Sequence, residues 1–306
     1  MSTDPCVVGV VGATATGKSA LAIDLARRLG GEVVGADASQ LYRGMDIGTA
    51  KVPVSERGGV PHHQIDVLDV TEEASVAAYQ RAARADIDAI TGRGSVAVVA
   101  GGSGLYVRAA LDRLEIPPTD PAVREDLQAR ADAEGTAVLR AELERVDPAA
   151  AAAIEPNNTR RIVRALEVIA ITGRPFSATM PRREFLRPSV LVGLRLPRDA
   201  LDERIEGRTR RMFAEGLVEE TRALVERGLR QGPTARRALG YAQALAVIDG
   251  GATLEQAVTD TATRTRRLVR RQESWFGADP RVTWFDPRTE RLVELVLEHV
   301  RPAARV

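Results

Sequence analysis

The chain has 306 residues, 44% apolar and 28% charged, with a formal net charge of +1. That is the composition of a globular chain able to bury a large core, as one large domain or two smaller ones. No run of about 18 uncharged apolar residues occurs, which argues against a transmembrane helix, and the opening MSTDPCVVGVVG lacks the basic start of a secretory signal. A single cysteine, Cys6, excludes an intrachain disulfide, and three histidines leave little for a zinc site, so a cytoplasmic location is expected.

In chain order, CVVGVV (6–11) predicts a buried strand, followed by GATATGKS, Gly12 to Ser19, and a helix from Lys18 to about Leu29. EVVGA (32–36) predicts a second strand that ends at Asp37 and opens the stretch DASQLYRGMDIGTAK; His62 and His63 in PHHQID are expected in a loop. A helical period covers 74–91, and SVAVVAGGSGLY (95–106) gives a third strand running into a glycine-rich turn with Ser103. Prolines border a region from IPPTDP (116–121) to about Pro188, where helices are expected over 122–134, 136–146 and 158–172, with the alanine run 149–153 also helical. VLVGLRL (190–196) and RVTWF (281–285) predict two more strands, and helices are expected over 199–228, 238–249 and 254–276. Unbroken β-branched strands alternating with helices predict an α/β fold, a parallel sheet covered on both faces. The expected domains are a core of 1–115 and 190–306 and an all-helical insertion of 116–189. No long helix face is exposed and apolar by pattern, so a monomer is expected.

GATATGKS fits the phosphate-loop pattern G-x-x-x-x-G-K-[ST] with a strand before it and a helix after it. Backbone amides of Gly12, Ala13, Thr14, Ala15, Thr16 and Gly17 would wrap a di- or triphosphate, Lys18 would neutralise it, and Ser19 could hold Mg2+. Lysine is otherwise scarce: of 43 basic residues only Lys18 and Lys51 are lysines, a slim point charge where the chain elsewhere uses the wide arginine fork. Lys51 could serve the site or hold its loop through a salt bridge.

Asp37 ends a strand at the edge where open α/β sheets place ligands, as does Ser103, so the two should face one cleft. There Asp37 could reach magnesium through water or act as a general base; it could equally cap the next short helix. Residues 1–157 carry 15 basic and 23 acidic side chains, against 28 and 19 in residues 158–306, so a polyanion would be met by the second half. NNTRRIVRALEV places Arg160, Arg161 and Arg164 at a helix start that normally favours acidic residues, a conflict that an external anion would relieve. RTRRLVRRQESWF puts Arg264, Arg267 and Arg271 on one helical face, as suits a nucleic-acid backbone, with Trp275 expected in the core.

Taken together and in this order, GATATGKS, DASQLYRGMDIGTAK, PHHQIDV, GGSGLY, NNTRRIVRALEV, RMFAEGLVEE, RRALGYAQ and RRQESW closely resemble the tRNA dimethylallyltransferase family over nearly the whole chain. The resemblance implies a P-loop NTPase-like core and transfer of a dimethylallyl group from dimethylallyl diphosphate to the exocyclic amine of the adenosine 3′ of the anticodon. It implies Asp37 as the base that takes the amine proton and Ser103, where the family often has threonine, as the residue placing the amine. Arg208 matches a family arginine on the diphosphate, beside Gly12 to Ser19 and Mg2+. Asp37, Ala38, Ser39 and Gln40 would touch the flipped nucleotide, and Arg124, Arg160, Arg161, Arg164, Arg237, Gly240 and Tyr241 match positions that contact the tRNA anticodon stem-loop. Three rivals share parts of the pattern: a small-molecule kinase using ATP, a prenyltransferase acting on free adenine nucleotides, and a non-catalytic RNA-binding protein.

Overall fold

Six strands, every neighbouring pair parallel, form one sheet in the order β3-β2-β4-β1-β5-β6 in a computed structural model that describes residues 7–179 and 183–301. Cys6 and residues 180–182 of the insertion lie outside that range. β1 (Val7–Gly12) is buried along its whole length at the sheet centre, leads through the glycine loop into α1 (Lys18–Leu29), and is followed by β2 (Glu32–Gly35). β3 is only His62–His63, paired with Val33 and Val34. These histidines were expected in a loop; two residues carry no period from which a strand can be read, and β3 exists because the β2 edge offers it hydrogen bonds.

α2 (Val76–Gly92) is capped by Ser75 and leads to β4 (Ala97–Gly101) and α3 (Gly104–Leu111), a helix where the sequence suggested only a turn. The sheet resumes with β5 (Ser189–Leu194), pairing beside β1 from Val7↔Ser189 to Gly12↔Leu194. The single helix expected over 199–228 is two, α8 (Arg198–Ala214) and α9 (Leu217–Glu226), broken at Gly216, whose φ of 102° no helix allows. α10 (Tyr241–Ile248), α11 (Leu254–Gly277), β6 (Val282–Phe285) and α12 (Leu292–Val300) complete the order; α12 is not among the helices expected from the sequence, and its Val296, Leu297 and Val300 pack in the core with α1. The strand order, with the phosphate loop after the central strand, makes this a P-loop NTPase-like core.

The chain divides into two compact units, one of 1–112 with 185–306 and a second of 113–184. The second unit is built from α4 (Pro121–Glu134), α5 (Thr136–Val146), α6 (Pro148–Ala153) and α7 (Thr159–Thr172) around Leu127, Leu139, Leu143, Ile162 and Leu166. Asp120 caps α4 with Pro121 at its first position, and Asn158 Oδ1 accepts from the Arg161 amide at the start of α7.

Candidate functional site

The turn after β1 is shaped by backbone that side chains resist. Gly12 has φ 135°, and a Cβ there would lie 2.5 Å from the Leu194 carbonyl oxygen; Gly17 has φ 94°, and Ala15 is left-handed at φ 64°. Thr16 Oγ1 and Lys18 Nζ both donate to the Ala13 carbonyl, at 2.8 and 2.6 Å, tying the loop into a ring. Burial pushes the Lys18 ammonium down to about 8; Asp37 works to raise it and Arg208 to lower it further. Arg208, on α8, donates to Thr14 Oγ1 at 3.0 Å and to the Thr49 carbonyl at 3.4 Å, and burial depresses it too, against the pull of Asp37. One carboxylate therefore faces two desolvated cations across the loop.

Asp37 Oδ1 accepts from the Ser39 amide at 3.0 Å, so Asp37 does cap a turn, as one sequence reading allowed, and still lines the cleft. Ser103 starts α3 but does not cap it: its Oγ accepts from the Ala38 amide at 3.4 Å while its own amide donates to the Ala36 carbonyl. Ser103 thus grips the chain on both sides of Asp37. Gly101 permits this, since a Cβ there would stand 2.1 Å from the Ala36 carbonyl oxygen.

Two clefts meet at this point. One, of about 650 Å³, is lined by Gly17, Lys18, Ser19, Gln40, Arg204 and Arg211; the other, of about 460 Å³, is walled by Tyr106, Ile205, Met212, Leu239, Leu268 and Trp275. Thr14, Ala15, Asp37, Thr49, Gly102 and Arg208 line both. The arrangement offers a cationic end for phosphates, an apolar end for a hydrocarbon or a ring, and a carboxylate at the junction. Among the described residues no group of three or more His, Cys, Asp or Glu could hold a metal alone. Ser19 and Asp37 on one polar cleft suit Mg2+, a cation that keeps waters and borrows phosphate oxygens and needs only one or two protein oxygens.

The other expectations fare unevenly. Lys51 donates to Asp46 Oδ1 at 2.7 Å, Asp66 Oδ1 at 2.6 Å and the Tyr42 carbonyl, so it locks its loop. Tyr241 and Gly240 are buried: the Tyr241 hydroxyl donates to Glu220 and accepts from the Gly48 amide, which leaves them no surface to offer an RNA. Arg124 and Arg164 converge on Glu167, itself fully buried, and Arg164 also holds the Pro117 and Pro118 carbonyls. The conflict expected at the start of α7 is thus settled internally at Arg164, whereas Arg160 and Arg161 are exposed, as is Arg237. Trp275 is 40% exposed and lines the apolar cleft, contrary to its expected place in the core, because it packs flat over the bare Cα of Gly104.

Sequence reasoning missed Gln272, Arg204 and Arg211. Gln272 had a readable signal: with Thr261 it is one of two polar residues on the otherwise apolar buried stripe Ala257, Val258, Thr261, Ala262, Val269, Gln272, Phe276 of α11.

A family model described as "IPP transferase" matches residues 40–279. A Salinispora tropica protein named tRNA dimethylallyltransferase is 56% identical over 299 residues, covering 98% of this chain and 94% of the relative. A Streptomyces coelicolor protein of the same name is 56% identical over 280 residues, 92% and 90% of the two chains. The crystal structure of a full-length tRNA isopentenylpyrophosphate transferase from Bacillus halodurans is similar with a TM-score of 0.73 and 38% identity, covering 98% of this chain and 97% of that one. A eukaryotic dimethylallyltransferase acting on tRNA, at 24% identity and a TM-score of 0.83, shares the fold over 99% of this chain and 80% of its own.

Proposed function

The chain belongs to the IPP transferase family, and from that premise we propose that it transfers a dimethylallyl group from dimethylallyl diphosphate to the exocyclic amine of the adenosine 3′ of the anticodon in tRNA, releasing diphosphate. The observation that supports this reading best is the junction of the two clefts at Asp37. The diphosphate lies in the polar cleft and the five-carbon tail extends toward Ile205, Met212 and Leu268. A phosphoryl donor would have no use for that apolar wall.

An adenine amine is a weak nucleophile because its lone pair is delocalised into the ring. Asp37 accepts its proton as the carbon–nitrogen bond forms at C1 of the donor and the carbon–oxygen bond to the diphosphate breaks. Ser103, whose Oγ accepts from the Ala38 amide beside Asp37, would place the amine next to that carboxylate. Charge gathers on the departing diphosphate, which Lys18, Arg208 and the amides of the loop would stabilise, all but that of Thr14, whose N–H is bonded to Gln272. Mg2+ held near Ser19 would neutralise part of that charge. Arg160 and Arg161, exposed on the helical unit, and Arg237 engage phosphates of the tRNA. A cytoplasmic site of action fits a reaction on tRNA. No helix among the described residues is long and apolar enough to cross a membrane.

The test is incubation with magnesium, labelled dimethylallyl diphosphate and unmodified tRNA, with AMP and ATP in parallel. Label in tRNA alone is expected; label in AMP, or ATP consumed with no label transferred, would replace this reading by one of its rivals. Asp37→Ala should keep tRNA affinity and lose at least about 100-fold in turnover, the scale of a lost general base; an equal loss of binding would make Asp37 structural.

A further inference from the structure

Gln272 reaches the site from α11, remote in sequence from everything it touches. Its Oε1 accepts from the Thr14 amide at 2.9 Å and its Nε2 donates to the Gly102 carbonyl at 3.0 Å. The amide can face only one way, because a backbone N–H must donate and a backbone C=O must accept. Gln272 is buried, at 8% exposure, and a Cβ on Gly102 would fall 2.4 Å from Nε2, so the turn is stripped bare to admit it. Gly102 is followed by Ser103, whose amide and hydroxyl bond Ala36 and Ala38 on either side of Asp37. A continuous line of hydrogen bonds therefore runs from the phosphate loop through Gln272 to the segment that carries the carboxylate. The Thr14 amide is consumed by it and points to α11.

We infer that Gln272 is a positioning residue for the transfer, setting the spacing between the leaving diphosphate, held by the loop, and the nucleophile, held at Asp37 and Ser103. This rests on the transferase reading above. In an in-line displacement the amine, C1 and the leaving oxygen must align, and an error near 1 Å costs about 100-fold in rate. A strut joining the two holders fixes that distance without touching either reactant.

Gln272→Glu tests it with a signature that loss of packing cannot mimic. An ionised carboxylate keeps the Thr14 amide bond but repels the Gly102 carbonyl; a protonated one, with one O–H and one C=O, restores both bonds. The charged groups around the position are Lys18 of the phosphate loop, Asp37 after β2, Arg208 of α8, and the flanking Arg271 and Glu273 of α11, and all of them are the same in wild type and variant. The readout is therefore the ratio of variant to wild-type kcat, in which every ionisation common to the two proteins cancels. That ratio should rise about tenfold from pH 8 to pH 6, as a buried glutamate titrating near neutrality would give. At pH 8 kcat should fall about 10- to 100-fold with the KM for tRNA within about twofold. Gly102→Ala, which pushes the amide off its carbonyl, should lower kcat alike, and should add little in the Gln272→Leu background; it decides the matter if Gln272→Glu does not fold. A pH-independent ratio, or independent and multiplying effects of Gly102→Ala and Gln272→Leu, would overturn the inference. A wild-type protein that transfers no label would instead sink the transferase reading, which separates the two failures.

Discussion

Lys18 is a cation that the protein has made reluctant. With its folded value near 8 against an ordinary 10.5, the unfolded chain holds the extra proton between those values, so the group adds stability to the ligand-free enzyme as pH climbs through that window. Binding a diphosphate has the opposite sign, because it needs the ammonium charged. The KM for dimethylallyl diphosphate should rise about tenfold between pH 7 and pH 9, where Lys18 discharges, while the KM for tRNA stays flat; parallel rises would show that Lys18 is not the titrating group. Individual residues were legible in the sequence where their function is local. The phosphate loop reports itself because strand, glycines, lysine and helix are contiguous, and Asp37 because a strand end fixes its place. Gln272 was not legible as a strut, since its partners are 258 and 170 positions away and no local pattern encodes a distance in space. Tyr241 was misplaced for a related reason: a tyrosine in a loop-to-helix motif looks the same whether its hydroxyl meets a ligand or, as here, Gly48 and Glu220.

At the scale of elements, α7 and α10 each hold a segment in place with one buried polar group. Glu167 of α7 is fully buried; burial works to raise it, but Arg164 and Arg124 and the Asp120 amide hold it below the usual glutamate value. Its contribution is present at neutral pH and lost as pH falls through that lowered value. Glu167→Ala removes the shared partner of two arginines that keep access to solvent or to the Pro117 and Pro118 carbonyls, and should cost about 1–3 kcal/mol, read as early thermal melting of the helical unit. On α10, Tyr241→Phe removes the bonds to Glu220 and Gly48, and a loss of about 1–3 kcal/mol is expected. Because Tyr241 is buried, tRNA affinity should change little; a large affinity loss at unchanged stability would return Tyr241 to the RNA surface. Helix positions were readable from their period, but the break at Gly216 was not, since the apolar stripe continues on both sides of it.

For the whole molecule the decisive property is the uneven distribution of charge along a chain that is almost neutral overall. Arg160 and Arg161 are exposed while their neighbour Arg164 is committed to Glu167, so only the first two are free to meet an RNA. Replacing both with alanine should weaken tRNA binding and flatten its dependence on salt by about one to two phosphate contacts, with melting unchanged; an unaltered slope would move the RNA surface elsewhere. The placement of β5 beside β1 has a further consequence, for synthesis. As the chain emerges, β1 can pair with β4 but its other edge stays open until residues 189–194 appear, and that edge is the apolar run VVGVVG. The helical unit of 113–184 lies between β4 and β5 in the chain, so the second partner of the central strand arrives only after that whole unit has been made. Until then the nascent protein exposes the kind of bare strand on which aggregation begins, and a pause before residue 189 prolongs that exposure.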